Sequence, residues 1–316
     1  MTNNDSYILV MGASIVDILG FCRNKYTEKD SIPGNIKISL GGVCRNIAEN
    51  LARVGVNTKF ISIIGDDENG RSILENSKLI GYDMKDSLLL DNGCTPTYMA
   101  ILDETGEMIS AIVDMESLGA MDRDFIDSKG EKIKNAEYTI LDADDAELLE
   151  YILTTYKGKT KFVLDPVSAV KAEKLPHLVK YFHTIKPNRY EAEILCGFKI
   201  KNDEDLKKAG RYFLDQGVTN VFISLDADGI YYLNAKEEGK IKAIDVQVKN
   251  TTGAGDSFVA GLGYGYMKGL SIKETVKYAI AMSIVTISHE DTINPKMCED
   301  YVDYYLDKIV WEETEL

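Results

Sequence analysis

The sequence lacks a run of apolar residues long enough to cross a membrane, since none approaches the roughly 18 residues that a bilayer requires. The opening segment MTNNDSYILVMG has no basic region ahead of an apolar stretch, so we expect no signal peptide. Basic residues are also scarce: 36 Lys and Arg against 51 Asp and Glu give a net charge of -15. Because a nucleic-acid backbone demands a basic surface, this imbalance argues against a nucleic-acid partner, although local donors can still hold a small anion.

Cysteines are few and scattered. The five of them are odd in number, and no two form a C-x-x-C pair. This spacing is poor material for a disulfide framework or a zinc site, so we expect a protein of the reducing cytoplasm. A hydrophobic fraction of 45% and a charged fraction of 28% in 316 residues are typical of a globular chain with a sizeable core.

Short apolar runs alternate with helical patterns along the chain. The runs predicted as strands are 6–14, 58–67, 136–144, 160–167, 182–188 and 220–233. Most of them are continuously apolar, which is typical of parallel strands that are covered on both faces. Helical patterns follow, for example at 43–55 and at 271–287, where Ser271 and Glu274 have capping-box spacing. The alternation predicts an α/β fold of three α/β/α layers around a doubly wound, mostly parallel sheet, with 1–316 as one domain.

Two segments interrupt this alternation. Residues 15–40 contain Pro33, Gly34 and the alternating run NIKISL, and residues 94–115 contain two β-rich runs about a turn at 103–106. Neither segment has helical periodicity, and the second is typical of a hairpin. Together they predict a small sheet that stands off the main domain.

The stretch NTTGAGDSFVAGL places an acid inside a glycine turn. Its apolar positions predict a helix that begins near Gly255 or Asp256, whose first N–H groups have no partner within the helix. Because Gly253, Ala254 and Gly255 carry no bulky side chains, a phosphate can approach these N–H groups closely. Asp256 then lies beside the anion, where a carboxylate suits proton acceptance from an attacking hydroxyl. The alternative is that Asp256 only caps the helix.

A second glycine turn, SLGGVCRNIAEN, also leads into a helix. Gly41 and Gly42 allow close approach to the backbone, and Asn46 lies one turn into the helix. Arg45 is expected to be a solvated or ion-paired side chain. Asp17, which follows the first predicted strand, is a third polar group at this edge. Carboxylate and amide groups together suit a polyol ligand, although an Asp in this position is also common in turns.

Four motifs in order resemble the ribokinase-like family of sugar and nucleoside kinases over essentially the whole chain. They are GASIVD at 12–17, GG-x-x-x-N at 41–46, KPNRYEAE at 186–193 and NTTGAGD at 250–256. The resemblance implies ATP and Mg²⁺ as cofactors and makes 15–40 and 94–115 a β-sheet lid. The implied catalytic group is Asp256, with an anion hole formed by Gly253, Ala254 and Gly255. The acceptor would be held by Asp17, Gly41, Gly42 and Asn46.

The resemblance also implies a nucleotide site. Its residues would be Asn188, Ser224, Gly229, Thr252, Gly255, Ala279 and Ser283. Glu191 would organise Mg²⁺ through water, although Asn188 and Glu191 also have the spacing of a helix cap with its reciprocal bond. Core packing is the alternative for Ala279. Asn250 stands where many members of the family have an Asp of a monovalent-cation site, so K⁺ binding there stays open.

Within the family the chain is most similar to the kinases of pseudouridine. This likeness lies in GGVCRNIAENLARVG, in the run TYMAILDETGEMISAIVDM and in DPVSAVK. It implies phosphorylation of the 5′-hydroxyl of pseudouridine by ATP, with Thr97 and Asp114 of the lid facing the base and with Asp142 and Lys171 also lining the acceptor site. For Asp142 and Lys171 the alternatives are a turn acid and a solvated lysine.

Other functions stay open on the sequence. One is a kinase of the same family that acts on ribose, another nucleoside or a sugar acid. A more remote one is a sensor that binds a sugar or a nucleotide without catalysis. The resemblance also implies a homodimer that forms through the lid, where an apolar strand edge is exposed.

Overall fold

A computed structural model describes residues 6–316, so residues 1–5 of the predicted domain lie outside it. The strands are β1 Ile8–Met11, β2 Ile15–Cys22, β3 Gly34–Gly41, β4 Thr58–Ile61, β5 Ile63–Gly65, β6 Leu88–Leu90, β7 Thr97–Leu102, β8 Met108–Asp114, β9 Tyr138–Leu141, β10 Lys161–Leu164, β11 Thr184–Ile185, β12 Asn220–Ser224, β13 Ile230–Leu233, β14 Glu238–Ile244 and β15 Val310–Glu315. The helices are α1 Val43–Arg53, α2 Glu68–Ile80, α3 Arg123–Ser128, α4 Gly130–Lys134, α5 Ala146–Thr155, α6 Ala169–Ala172, α7 Arg189–Cys196, α8 Asp203–Asp215, α9 Ala254–Lys268, α10 Ile272–Ile287 and α11 Glu299–Leu306.

A nine-stranded sheet forms the centre of the molecule, in the order β15-β14-β13-β12-β11-β10-β9-β1-β4. The six strands from β12 to β4 are parallel, and β13, β14 and β15 extend the sheet in antiparallel fashion. Alternate residues of β1 enter two separate cores: Leu9 belongs to the core that contains residues of α5 and α8, and Val10 belongs to the core that contains residues of α1 and α9. The predicted α/β fold with helices on both faces of a mostly parallel sheet is therefore confirmed. Within residues 6–316, no helix is both long and apolar enough to span a bilayer.

The single strand predicted for 220–233 is wrong, because two antiparallel strands, β12 and β13, occupy this run. A short 3₁₀ turn at Asp226–Asp228 separates them, and Gly229 follows at φ +89°. A Cβ atom on Gly229 would lie 2.2 Å from the carbonyl oxygen of Ile241. The break therefore depends on a glycine that hydrophobicity alone does not reveal.

A second sheet has four strands in the order β3-β2-β7-β8, and apart from Gly41 at the end of β3 they fall within the two predicted segments 15–40 and 94–115. Because side chains alternate between the faces of a strand, Asp17 of β2 and its pairing partner Tyr98 of β7 share one face. The opposite face carries a row of paired apolar residues that we call the outer row: Ile38, Ile18, Met99 and Ile112.

Helix α9 lies close against α10, and its glycines make this approach possible. A Cβ atom on Gly261 would be 2.4 Å from the Cα atom of Ala279, and one on Gly265 would be 2.5 Å from the hydroxyl of Thr275. The capping box predicted for Ser271 and Glu274 is present at the start of α10. This packing fixes the direction of α9, whose first turn reaches the carboxyl edge of the parallel strands.

Candidate active site

The first turn of α9 presents unpaired backbone donors. Gly253 precedes the helix at φ +83°, a conformation that brings it so close to Thr292 that a Cβ atom would lie 2.4 Å from its carbonyl oxygen. The N–H groups of Gly253, Gly255 and Asp256 make no hydrogen bond to residues 6–316, whereas that of Ala254 donates to the Thr251 carbonyl at 3.3 Å. Free N–H groups at the positive end of a helix dipole form an anion site.

Asp256 is half-buried beside these donors. Its Oδ2 atom accepts a hydrogen bond of 2.7 Å from the Nδ2 atom of Asn46. Burial raises the pKa of Asp256 to about 7, and the charge of Asp165 adds to the rise, while Asn46, Lys186 and Arg45 oppose it. A carboxylate with this pKa can accept a proton near neutral pH and release it again.

A buried ion pair joins the ends of two adjacent strands next to Asp256. Lys186 follows β11 and Asp165 follows β10, and their Nζ and Oδ2 atoms are 3.1 Å apart. Burial by itself lowers the pKa of Lys186, but the carboxylates of Asp165 and Glu191 raise it above its ordinary value, so the ammonium stays charged. Its Nζ atom lies 2.9 Å from where a Cβ atom of Gly255 would be, which places a cation at the first turn of α9. The sequence motifs contain both residues, but the predicted strands extend past them and hide their position at the strand ends.

Arg45 is also part of the site, as a buried ion pair rather than a solvated side chain. Its Nη1 atom is 2.5 Å from Oε2 of Glu49, one turn further along α1. Its Nη2 atom donates to Oδ1 of Asn46 at 2.6 Å, and its Nε atom donates to the carbonyl of Gly41 at 3.2 Å. The predicted acceptor residues Gly41 and Asn46 are thus connected through Arg45.

A larger cavity of about 720 Å³ opens on one side of Asp256. Its walls include six of the predicted nucleotide or metal residues: Asn188, Glu191, Ser224, Gly229, Gly255 and Ser283. Asn188 and Ser224 are brought together by a bridge between their backbones, and Ser283 donates to the Ala254 carbonyl at 2.8 Å. Thr252 does not border this cavity, and Ala279 is fully buried against Gly261.

Asn188 and Glu191 form a reciprocal cap at the start of α7. Asn188 Oδ1 accepts the Glu191 N–H at 2.9 Å, and Glu191 Oε2 accepts the Asn188 N–H at 2.8 Å. Glu191 also borders the larger cavity, and burial raises its pKa above the ordinary value. No group of three or more His, Cys, Asp or Glu residues able to cage a metal occurs among the described residues. Carboxylate and amide oxygens at the cavity wall fit a Mg²⁺ ion that keeps most of its water, which is the usual form of this ion with phosphates.

A smaller cavity of about 450 Å³ lies between the four-stranded sheet and the start of α1. Asp17, Lys37 and Tyr98 border it from the sheet, and Thr252 borders it from the loop before α9. Burial raises the pKa of Asp17, and Arg45 partly offsets this rise. Gly41 lies so close that a Cβ atom there would be 2.1 Å from Oδ2 of Asp17.

The mouth of the smaller cavity carries a further ion pair. Lys37 of β3 pairs with Asp291, which belongs to the same loop as Thr292. Asn250 also borders this cavity, and its amide joins two loops: Oδ1 accepts the Thr252 N–H at 3.0 Å before α9, and Nδ2 donates to the Glu290 carbonyl at 2.9 Å after α10.

Four residues predicted to contact the acceptor do not border the smaller cavity. Thr97 pairs with Asp114 on the face of the four-stranded sheet that is opposite to Asp17 and Tyr98. Asp142 is buried at the end of β9, with its Oδ2 atom unpaired among residues 6–316, and it borders a separate small pocket. Lys171 of α6 pairs with Asp144.

Comparisons with known proteins identify the relatives of this chain. The family model described as pfkB family carbohydrate kinase matches residues 5–297. The pseudouridine kinase of Escherichia coli (strain K12) is 36% identical over 293 residues, which cover 92% of this chain and 93% of that protein.

Solved structures agree with this result. A Clostridium perfringens protein assigned as a sugar kinase is 60% identical, with a TM-score of 0.95 over 99% of both chains. Arabidopsis thaliana ribokinase, solved with ribose and ATP, has a TM-score of 0.81 at 20% identity and covers 95% of this chain and 98% of its own. The likeness at 20% identity concerns the fold alone.

Proposed function

We propose that this chain, which belongs to the pfkB family of carbohydrate kinases, transfers the terminal phosphoryl group of ATP to the 5′-hydroxyl of pseudouridine. The products are ADP and pseudouridine 5′-phosphate. Its relatives make it a phosphotransferase with an alcohol acceptor. The observation that carries the mechanism is the half-buried Asp256, whose pKa is about 7 and which lies beside the free N–H groups of α9. Pseudouridine as the acceptor rests on the 36% identical relative.

Asp256 accepts the proton of the acceptor hydroxyl as its oxygen attacks the terminal phosphorus. Phosphoryl transfer needs in-line positioning and charge neutralisation more than covalent help from the protein. The free N–H groups of Gly253, Gly255 and Asp256 stabilise the transferring group, Ala254 adds no bulky side chain, and Lys186 adds a positive charge beside Gly255. Neighbouring groups at the start of α9 therefore accept the hydroxyl proton and stabilise the negative charge of the phosphoryl group.

ATP occupies the larger cavity in this proposal. Asn188, Ser224, Gly229 and Ser283 border it, whereas Thr252 borders the smaller cavity and Ala279 lies buried in the core. Asn188 and Glu191 would hold Mg²⁺ through water, and the ion would supply neutralisation of phosphate charge. Asn250 offers a neutral amide that is already hydrogen-bonded, so we expect little activation by K⁺.

The acceptor occupies the smaller cavity, beneath the four-stranded sheet acting as a lid. We propose that Asp17, Asn46, Gly41 and Gly42 hold ribose hydroxyls, as carboxylate, amide and backbone groups are suited to do. Tyr98 is the sheet residue placed to meet the base, because it shares the cavity face with Asp17. Asp142 and Lys171 stay proposed as more distant contacts.

Charge in the smaller cavity favours a neutral acceptor. Both cations that border it, Lys37 and Arg45, are already paired with carboxylates, and Asp17 and Glu290 add negative charge. A sugar acid or sugar phosphate would find no free cation there among the described residues, and recognition of such groups depends on charged donors. This observation favours a nucleoside over the sugar acid that the sequence left open.

We further propose a homodimer through the outer row. Ile38, Met99 and Ile112 are 64%, 43% and 69% exposed and lie side by side on the lid. A row of exposed apolar residues on a sheet is typical of an interaction surface, and the matching row of a second copy is the occupant that the family resemblance implies. We place this protein in the cytoplasm, where ATP is supplied and all five of its cysteines would stay free.

The function is tested by measuring ADP release with ATP and Mg²⁺ for pseudouridine, uridine, adenosine, ribose and gluconate in parallel. We expect pseudouridine to exceed each of the others by about tenfold or more in kcat/KM, equivalent to about 1.4 kcal/mol of discrimination. A higher kcat/KM for ribose or another nucleoside would support kinase activity but rule out pseudouridine as the preferred acceptor. Absence of ADP release with every acceptor, together with tight binding of ATP, would favour the sensor.

A further inference from the structure

Arg45 is a buried cation that contacts three groups around Asp256. Its side chain is 2% exposed, and its three nitrogen atoms donate to Gly41, Asn46 and Glu49. Its partner Glu49 is 3% exposed and is held on its other oxygen by Arg53, at 2.7 Å. A charged pair at this depth costs desolvation, so its presence beside the site calls for a physical reason.

The amide of Asn46 has two orientations of similar shape but opposite polarity. In the observed one, Oδ1 accepts from Arg45 at 2.6 Å and Nδ2 donates to Asp256 at 2.7 Å. The reverse orientation would set Nδ2 against the guanidinium, which has no acceptor, and Oδ1 against the Asp256 carboxylate. Arg45 therefore selects the orientation in which Asp256 receives a donor.

We propose that Arg45 is a positioning residue that acts through the Asn46 amide to fix the orientation of the Asp256 carboxylate. Its catalytic consequence rests on the function proposed above, whereas the orientation itself does not. Nothing in this arrangement requires Arg45 to touch either substrate.

Several charged groups face this network, and they set the direction of the expected effect. Asp165 and Lys186 face Asp256 from the ends of β10 and β11, and Asp17 and Tyr82 face Arg45 in addition to Glu49. The Asn46 hydrogen bond and the Arg45 charge both lower the pKa of Asp256. Because Asp256 acts as a base when ionised, loss of the oriented donor must raise its pKa and move the acidic limb of the kcat/KM profile to higher pH.

The test replaces Arg45 and Glu49 together. Removing Arg45 alone would leave one oxygen of the buried Glu49 without its partner and would change the net charge of the network, so the variant is Arg45→Met with Glu49→Met. One positive and one negative charge leave together, so the net charge of the network is kept. The direct effect of the Arg45 charge on Asp256 is measured separately in an Asn46→Leu background, where no oriented donor remains. The matched control is Arg53→Met, which removes the other partner of Glu49 but no contact with Asn46.

The first readout needs no activity. The carboxyl carbon of Asp256 is titrated by NMR in ¹³C-aspartate-labelled apoprotein and assigned with Asp256→Asn. We expect its pKa to rise by about one unit in the paired variant and to stay within about 0.3 unit in Arg53→Met. In an Asn46→Leu background the paired substitution should raise this pKa clearly less, because only the direct effect of the Arg45 charge remains there.

The second readout is the pH profile of kcat/KM with the preferred acceptor. We expect the acidic limb of the paired variant to move up by the same amount, with activity partly recovered at high pH. A carboxyl titration that does not move in a folded paired variant, or a loss of activity that is equal at every pH, would overturn the proposal. If the paired Met variant does not fold, Arg45→Gln with Glu49→Gln replaces it. If the proposed function is wrong, the unmodified protein shows no turnover of this acceptor, and the NMR titration still tests the orientation of Asp256.

Discussion

Asp256→Asn should make the protein more stable at alkaline pH while it impairs the reaction. Burial holds the pKa of Asp256 at about 7 in the folded protein, against 3.8 for an unburied carboxyl. Between these two values the folded protein holds a proton that the unfolded chain has released, so the free energy of unfolding falls as pH rises. An Asn side chain is neutral at every pH, so the variant does not lose stability in this way as pH rises.

The size of the effect follows from the same two pKa values. A difference of about 3 units corresponds to about 4 kcal/mol, and because the carboxyl opens on the larger cavity we expect about 2–4 kcal/mol. An unfolding entropy of about 2.1 cal/mol/K per residue then gives an increase in Tm of about 3–6 °C for a chain of this length.

The assay is thermal unfolding followed by circular dichroism at about pH 4.5 and about pH 8.5, without ligands. The Tm increase of Asp256→Asn relative to the unmodified protein should grow from about a quarter of its full value at the lower pH to its full value at the higher pH. Asp215→Asn, at the exposed end of α8, is the matched control and should give the same difference at both. A Tm difference for Asp256→Asn that does not change with pH would refute the reasoning.

Three other predictions concern the turn before α9, the K⁺ ion and the lid. Gly253→Ala should lower kcat by about tenfold or more and lower the free energy of unfolding by at least ~1 kcal/mol, because φ is +83° and the new Cβ atom meets the Thr292 carbonyl. Steady-state kinetics and urea unfolding check this, and a variant with unchanged kcat contradicts it. Replacing K⁺ by choline should change kcat/KM by less than about twofold, since Asn250 is neutral and already bonded, and a tenfold loss would show a cation site after all. Ile112→Lys should make the proposed dimer monomeric, because the interface would have to bury a charge in the outer row, and light scattering measures the change. An unmodified protein that is monomeric at about 100 μM contradicts the proposed dimer.

Features set by local sequence could be predicted well. The apolar runs of β1, β9 and β10 indicate a buried parallel sheet, and the Ser271–Glu274 spacing indicates the start of α10. The two glycine turns could be located because small, flexible residues directly before a helical pattern are typical of a turn. In these places one segment of chain contains all the information that determines its conformation.

Features set by contacts between distant segments could not be predicted. Lys186 and Asp165 meet only because β10 and β11 are neighbours in register, and Arg45 is buried only because α1 packs over the site. The sequence shows that side chains alternate along β7, but it does not show which face meets the cavity. It therefore predicts Thr97 as the residue that faces the base, whereas its neighbour Tyr98 borders the smaller cavity.

Side-chain packing also accounts for Ala279 and the 220–233 run. Ala279 has the helical position expected beside a nucleotide, yet the close approach of Gly261 places it inside the core. The run 220–233 is apolar on both sides of its turn, so hydrophobicity does not show the break at Asp226–Asp228. In both cases a glycine that allows close backbone approach decides the outcome.

The central claim is that Asp256 removes the proton of the acceptor hydroxyl, and it is tested most directly by the turnover of Asp256→Asn. With ATP, Mg²⁺ and pseudouridine at saturation, we expect kcat to fall by about 10²–10⁴, as for the loss of a general base. The Kd for ATP in the same variant should stay within about twofold of the unmodified value, because the larger cavity keeps its other walls. A variant that retains the full kcat would contradict the account.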